Sequence, residues 1–205
     1  MAGHRAGLDN LKKILEMVKV LKIKNVSVFA FSSENWNRPK AEVDGLMNLF
    51  REMLSENNEQ YIKDDVCIKI LGDLDGLPAD IKQKSLYLME KTKNCTSHFL
   101  NFCINYGGKT EILNAVNNIL KNKLLHVDDK IFKNYLYTKD MPDPDFIIRT
   151  SGEYRTSNFM PYQSIYSEWY FPKTYWPSFG KKDLYTALKK YEKRDRRYGR
   201  IKEKV

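Results

Sequence analysis

Short runs dense in β-branched and aromatic residues, each followed by a polar stretch and then by apolar residues at helical spacing, constrain this chain more than any other feature. Asn25 leads into NVSVFAF, which reads as a strand buried on both faces. Val66 to Leu71, His98 to Tyr106 and Asp145 to Arg149 read as further strands, and Ile165 to Phe171 is another apolar, aromatic segment. Between them Leu8, Leu11, Ile14, Leu15, Val18 and Leu21 recur every three or four residues, as on one face of a helix. A broad stripe from Val43 to Leu54, continuing toward Tyr61, follows Pro39, which suits a first helical turn. More helices are expected over Pro78 to Lys93, from Ile112 to Leu120 after the Gly107-Gly108 break, around Ile131 to Leu136, and from Lys181 to Arg197. Strands alternating with helices imply an α/β fold with a mostly parallel sheet flanked by helices. No repeat, linker or low-complexity tract divides the chain, so residues 1–205 read as a single domain.

Composition narrows the function. With 42% hydrophobic and 30% charged residues the chain can bury a core and is not a disordered tail. No stretch reaches the roughly 18 apolar residues of a membrane span, and MAGHRAGLDN has no signal-peptide core. Cys67, Cys95 and Cys103 form no CxxC pair, and His4, His98 and His126 offer no zinc spacing. A net charge of +9 favours an anionic partner such as nucleic acid, a lipid surface or phosphate esters, although a solvated, solubility-giving face explains the same excess.

Ligands of such sheets bind beyond the carboxyl ends of the strands, where FSSENWNRP and RTSGEYRTSN begin. Arg149, Arg155, Thr150, Ser151 and Ser157 share the second run, with Gly152 allowing a tight turn. Two guanidiniums with hydroxyls and free N–H groups suit a diphosphate, and a surface loop whose arginines pair with Glu153 and Glu168 is the plainer alternative. In the first run Asn35, Trp36 and Arg38 could hold a second anion while the indole covers an apolar chain, or could simply cap a helix. His4 stands just before a predicted helix, where backbone N–H groups favour an anion. Glu168 lies in SEWYF, an apolar setting in which a carboxylate needs an arginine or a metal as partner.

Taken together, GHRAG, FAFSSENWNRP, the NYGG turn, DPDFIIRTSGEYRTSNF, SEWYF with WPSF, and the closing RRYG resemble the cis-prenyltransferases, the undecaprenyl and dehydrodolichyl diphosphate synthase family. The blocks occur in the family's order over nearly the whole chain. The resemblance implies condensation of isopentenyl diphosphate onto an allylic diphosphate with Mg2+, and an apolar tunnel for the growing chain, of which the Val43–Leu54 stripe would form one wall. It implies that Arg149, Arg155 and Ser157 hold isopentenyl diphosphate, while His4 and Arg38 help hold the allylic diphosphate. Ser32, Asn35 and Trp36 would line the reacting region, and Glu168 would contribute to the Mg2+ site. Arg197 and Gly199 match an Arg-x-Gly element that reaches across a homodimer interface. The implied setting is cytoplasmic, with peripheral contact to the endoplasmic reticulum or another membrane.

The sequence departs from the family pattern in one place. Members carry, before the GHxAG block, a strand and an Asp-Gly-Asn loop that supplies an essential aspartate; no DGN occurs here. The expectation is a domain lacking that strand and loop, poorly stable alone and with little turnover. A non-catalytic subunit of a heteromeric synthase is the alternative, opposed by the intact RTSGEYR and SENWNR blocks. A basic nucleic-acid-binding module would need exposed aromatics along a basic stripe, whereas the aromatics here fall largely in apolar segments.

Overall fold

The computed structural model describes residues 2–55 and 58–197. Helix α1 spans Ala2–Val20, β1 Asn25–Ser32, α2 Lys40–Ser55, α3 Asn58–Lys63 and β2 Val66–Leu71. Then come α4 Ala79–Thr92, β3 His98–Tyr106, α5 Gly108–Lys121, α6 Asp129–Lys133, β4 Phe146–Ile148, β5 Glu168–Tyr170 and α7 Lys181–Glu192. All strand pairs are parallel, in a three-stranded sheet of order β1-β3-β2 and a two-stranded sheet β4-β5. Parallel neighbours need crossover connections, and α2 to α4 supply them between the sequential strands.

The central strand β3 sorts the core by its alternation. Leu100, Phe102 and Ile104 face a cluster with Leu11 of α1, the α2 stripe, and Ile81 and Leu88 of α4. Cys103 and Tyr106 join Leu71 and Met160 in a second cluster, with Phe29 and Phe159 packed against it. Tyr106 and Cys103 share that cluster despite the odd spacing; between them Asn105 takes the left-handed conformation, with φ at 49°, a region Asn tolerates better than most residues. A third cluster joins Ile14 and Val18 of α1 to Leu184 of α7 and Phe179. Here α1 is pinned by Asn10, whose Nδ2 donates to the carbonyls of Trp176 at 2.7 Å and Phe179 at 3.1 Å. Gly7 admits the Trp176 ring, whose Nε1 donates to its carbonyl at 2.8 Å.

Three expectations need correction. Strand β1 is not buried on both faces: only Phe31 is fully buried and its other residues are half-buried, because β3, not β1, occupies the middle of the sheet. Helix α7 stops at Glu192 rather than Arg197, because the Arg194 guanidinium turns to Glu168 and the Trp169 carbonyl while Arg196 turns to Asp145. Helix α1 already runs from Ala2, so His4 lies within its first turn and not ahead of it.

Candidate active site

Three strand-end segments meet at one side chain. The Asn158 amide donates from Nδ2 to Glu34 Oε1 at 2.7 Å and accepts at Oδ1 from the Lys109 N–H at 2.8 Å. Its carbonyl accepts from the Gly108 N–H at 2.9 Å. The loop after β1, the NYGG turn after β3 and the loop after β4 are thereby tied together. The glycines are required by closeness: a Cβ on Gly107 would lie 2.3 Å from Ser33 Oγ, and one on Gly108 would lie 2.0 Å from Pro161 Cδ. Glu34 answers the tie electrostatically. Burial alone would raise its pKa, but hydrogen bonds from Asn158, its own backbone, Ser33 and Ser32 outweigh that and lower it.

The loop after β1 is a 3-10 turn, Ser33–Asn37. Asn35 folds back so that Oδ1 accepts from the Ser32 N–H at 3.1 Å, which places both residues in one tight loop. The Trp36 indole meets Phe31 edge-on at 5.0 Å, Phe31 meets Phe50 edge-on at 6.1 Å, and the aromatic series leads from the loop into the core. Trp36 Nε1 donates to Asn105 Oδ1 at 2.8 Å. His4 and Arg38, far apart in sequence, converge on Glu42: Arg38 Nη1 donates to Oε1 at 2.8 Å, and His4 Nε2 lies 3.6 Å from the same oxygen.

After β4, Arg149 is anchored by its N–H to the Tyr170 carbonyl at 2.9 Å and donates from Nη1 to Ser157 Oγ at 2.8 Å. Burial, and then the nearby positive charge of Arg155, push the Arg149 guanidinium below its usual pKa, and the charge of Glu153 only partly offsets them. Arg155 itself pairs with Glu153, which is half of the plainer alternative raised from sequence. The loop holds unusual backbone: Ser151, Ser157, Asn158 and Met160 have φ of 73°, 48°, 64° and 47°. For Ser151, Ser157 and Met160 this costs on the order of 1–3 kcal/mol each and persists where surrounding bonds fix the chain, whereas Asn158 tolerates the region better.

Glu168 stands at the start of β5, opposite Phe146, whereas Arg149 follows the far end of β4. Of the two partners left open for it, the structure holds the arginine: Arg194 Nη1 donates to Oε2 at 2.6 Å. Among the described residues no group of three or more His, Cys, Asp or Glu side chains is placed to hold a metal ion. Arg197 is exposed and pairs with Asp195, while Gly199 lies outside the described residues. The Val43–Leu54 stripe is closed into the core, and an open pocket of about 330 Å³ borders the same cluster at Leu15, Val26, Tyr61, Val66 and Leu100, with Lys12, Lys19, Lys24 and Asp64 also lining it and His98 at the start of β3.

Sequence reasoning missed Asn158, Glu34, Asn105 and Glu42 as organising residues. Two of them, Glu34 and Asn158, sat inside the polar runs already singled out, which is the signal that could have found them.

An α/β fold whose strand-end loops gather Arg149, Arg155, hydroxyls and an indole leading to an apolar core suits an enzyme that handles an anionic group carried on an apolar chain. Comparisons bear this out. The family model described as "Putative undecaprenyl diphosphate synthase" matches residues 1–199. An isoprenyl transferase of Thermotoga maritima is 45% identical over 96% of this chain and 86% of its own length. Another from Clostridium acetobutylicum is 43% identical over 98% of this chain and 81% of its own. Among solved structures, a probable undecaprenyl diphosphate synthase from Campylobacter jejuni superposes with a TM-score of 0.85 at 33% identity, covering 96% of this chain and 93% of that one. Lavandulyl diphosphate synthase from Lavandula x intermedia, in complex with dimethylallyl diphosphate, gives 0.91 at 30% identity over 97% and 89%. The chain belongs to the undecaprenyl diphosphate synthase family of prenyltransferases.

Proposed function

We propose that this chain condenses isopentenyl diphosphate with an allylic diphosphate, adding each unit with a cis double bond to build a long-chain polyprenyl diphosphate of the dolichol or undecaprenol type. The observation that carries the reading is the Arg149–Ser157 pair with Arg155 beside it, a crowded cationic loop tied through Asn158 to the Trp36 loop. Arg149, Arg155 and Ser157 take the isopentenyl diphosphate. Arg38 and His4 take the allylic diphosphate, which competes with Glu42 for them.

The chemistry then follows. The allylic C–O bond breaks and diphosphate leaves with the electron pair; the alkene of isopentenyl diphosphate attacks the allylic carbon, and loss of one proton restores a double bond. Donors fixed before the reaction favour the developing negative charge on the leaving group. Trp36 and the Phe31–Phe50 series receive the apolar chain, which grows toward the pocket bordered by Tyr61 and Leu100.

Mg2+, the cofactor usual in this family, would neutralise charge on the departing diphosphate. The described residues build no cage for it, and Glu168 would have to leave Arg194 to reach it. Mg2+ commonly takes only one or two carboxylates together with substrate phosphates, and we propose that it enters on the diphosphates. Assembly as a homodimer, with Arg197 and Gly199 reaching the partner's substrate, belongs to the same proposal, as does peripheral membrane contact; no described helix is long and apolar enough to cross a membrane.

Calorimetry with isopentenyl diphosphate and with a non-ionising allylic thiodiphosphate tests the assignment. Arg149→Ala and Arg155→Ala should each weaken the first ligand by about tenfold or more, the weight of charge-assisted hydrogen bonds, and spare the second. Arg38→Ala should do the reverse. Equal losses of both ligands in every variant would refute the division of the site.

A further inference from the structure

We infer that Asn105 is a positioning residue for the allylic substrate, acting through Trp36; the inference rests on the reading of Trp36 given above. Asn105 lies at the end of the central strand and is 7% exposed. Its side chain is engaged at both ends: Oδ1 accepts from Trp36 Nε1 at 2.8 Å, and Nδ2 donates to the Asp73 carbonyl at 2.7 Å. Its own carbonyl accepts from the Asp73 N–H at 3.1 Å. The residue is thus gripped on both sides by the turn after β2 and presents one oxygen to the indole.

The turn is built around that grip. A Cβ on Gly76 would lie 2.6 Å from Asn105 Nδ2, and one on Gly72 would lie 2.0 Å from the Ile104 carbonyl, so both glycines permit the approach. The left-handed φ of 49° at Asn105 turns the strand end at the point where the amide reaches across to the first loop. Trp36 also makes an edge contact with Phe31, which is non-directional compared with the indole hydrogen bond. The indole hydrogen bond fixes its rotation and depth. An indole so fixed offers a preset apolar wall where the allylic carbons pass, and about tenfold or more in affinity and rate can hang on such placement.

Asn105→Gly removes the amide and leaves the left-handed backbone at ease, so it isolates the side chain. Asn105→Asp keeps an oxygen toward the indole and, in its protonated form, an O–H for the Asp73 carbonyl, so it is assayed at acid pH, where the buried carboxyl is neutral. Binding of the allylic thiodiphosphate and of isopentenyl diphosphate is measured for both variants, for Trp36→Phe, and for the Asn105→Gly/Trp36→Phe double variant. The expected result is a loss of about tenfold for the allylic ligand in Asn105→Gly, little change for isopentenyl diphosphate, and near-native affinity in Asn105→Asp. The double variant should be no worse than Trp36→Phe, because coupled residues are not additive. The Trp36 emission, taken as the difference from Trp36→Phe, should shift in Asn105→Gly and not in Asn105→Asp.

Additive losses, an unshifted Trp36 emission, or an Asn105→Asp variant as weak as Trp36→Phe would each overturn the inference. The last applies even if Asn105→Gly does not fold. A Trp36→Phe variant that binds the allylic ligand normally would instead sink the role given to Trp36 itself, while the emission spectra would still decide whether Asn105 sets the ring.

Discussion

Replacing Asn158 by alanine removes the side chain that joins three strand-end loops, and its effect can be worked from the bonds it makes. The Lys109 N–H stands in the first turn of α5, one of the donors a helix cannot satisfy internally, and losing its acceptor resembles the loss of an N-cap at about 0.5–2 kcal/mol. The bond to Glu34 is solvent-exposed and counts at the low end, about 0.5–1 kcal/mol. Alanine at φ of 64° adds about 1 kcal/mol that asparagine largely avoids. The sum, about 2–4 kcal/mol, corresponds to a fall in Tm of roughly 5–15 °C for a chain of this size. Asn158→Gly, which relaxes the backbone, should fall less.

The sign of the pH dependence follows from Glu34. Its folded pKa is lowered, so its contribution is present above the ordinary carboxylate pKa and is lost as pH falls through the lowered value. The gap between wild type and Asn158→Ala should therefore be widest near neutrality and narrow below about pH 4. Thermal melts across pH, with inorganic diphosphate titrated at each point, provide the assay, and diphosphate affinity should fall as Ser157 and Arg149 lose their support. A Tm within a degree or two of wild type, with unchanged diphosphate affinity, would refute the idea that Asn158 organises the site.

Two further outcomes are expected. Cys103 is fully buried, and desolvation first, then the charge of Glu111, push its thiol pKa strongly up; mass spectrometry after native thiol labelling should find it unmodified, and rapid labelling would contradict its placement. The Asp65 carboxylate is lowered by the Ser97 hydroxyl and the Thr96 and Ser97 N–H groups, so its contribution is held above the ordinary carboxylate pKa and lost as pH falls below it. Asp65→Asn should flatten that part of the acid limb in a pH series of melts, and an unchanged limb would exclude the group.

Much of the architecture is legible because burial imposes periods. The spacing of Leu11, Ile14 and Val18, the apolar run His98 to Tyr106, and the glycine pair after it each record which face meets the core. What the periods do not carry is order within the sheet: NVSVFAF looks fit for a central position, yet β3 takes the centre and β1 stays half-buried. The end of α7 was equally hidden, since arginines favour helices until Glu168 and Asp145, distant in sequence, offer them partners. The site divides in the same way. Arg149, Arg155 and Ser157 are visible as a cluster because one loop holds them, whereas Asn158 meets Glu34 across 124 residues and Trp36 meets Asn105 across 69, separations that leave no pattern in a single chain.

A crystal structure of the chain with isopentenyl diphosphate and an allylic thiodiphosphate tests the central claim most directly. The account predicts the isopentenyl diphosphate on Arg149, Arg155 and Ser157, and the allylic diphosphate between Arg38 and His4 with Glu42 displaced. Both diphosphates bound away from these loops, or neither bound at saturating concentration, would contradict it.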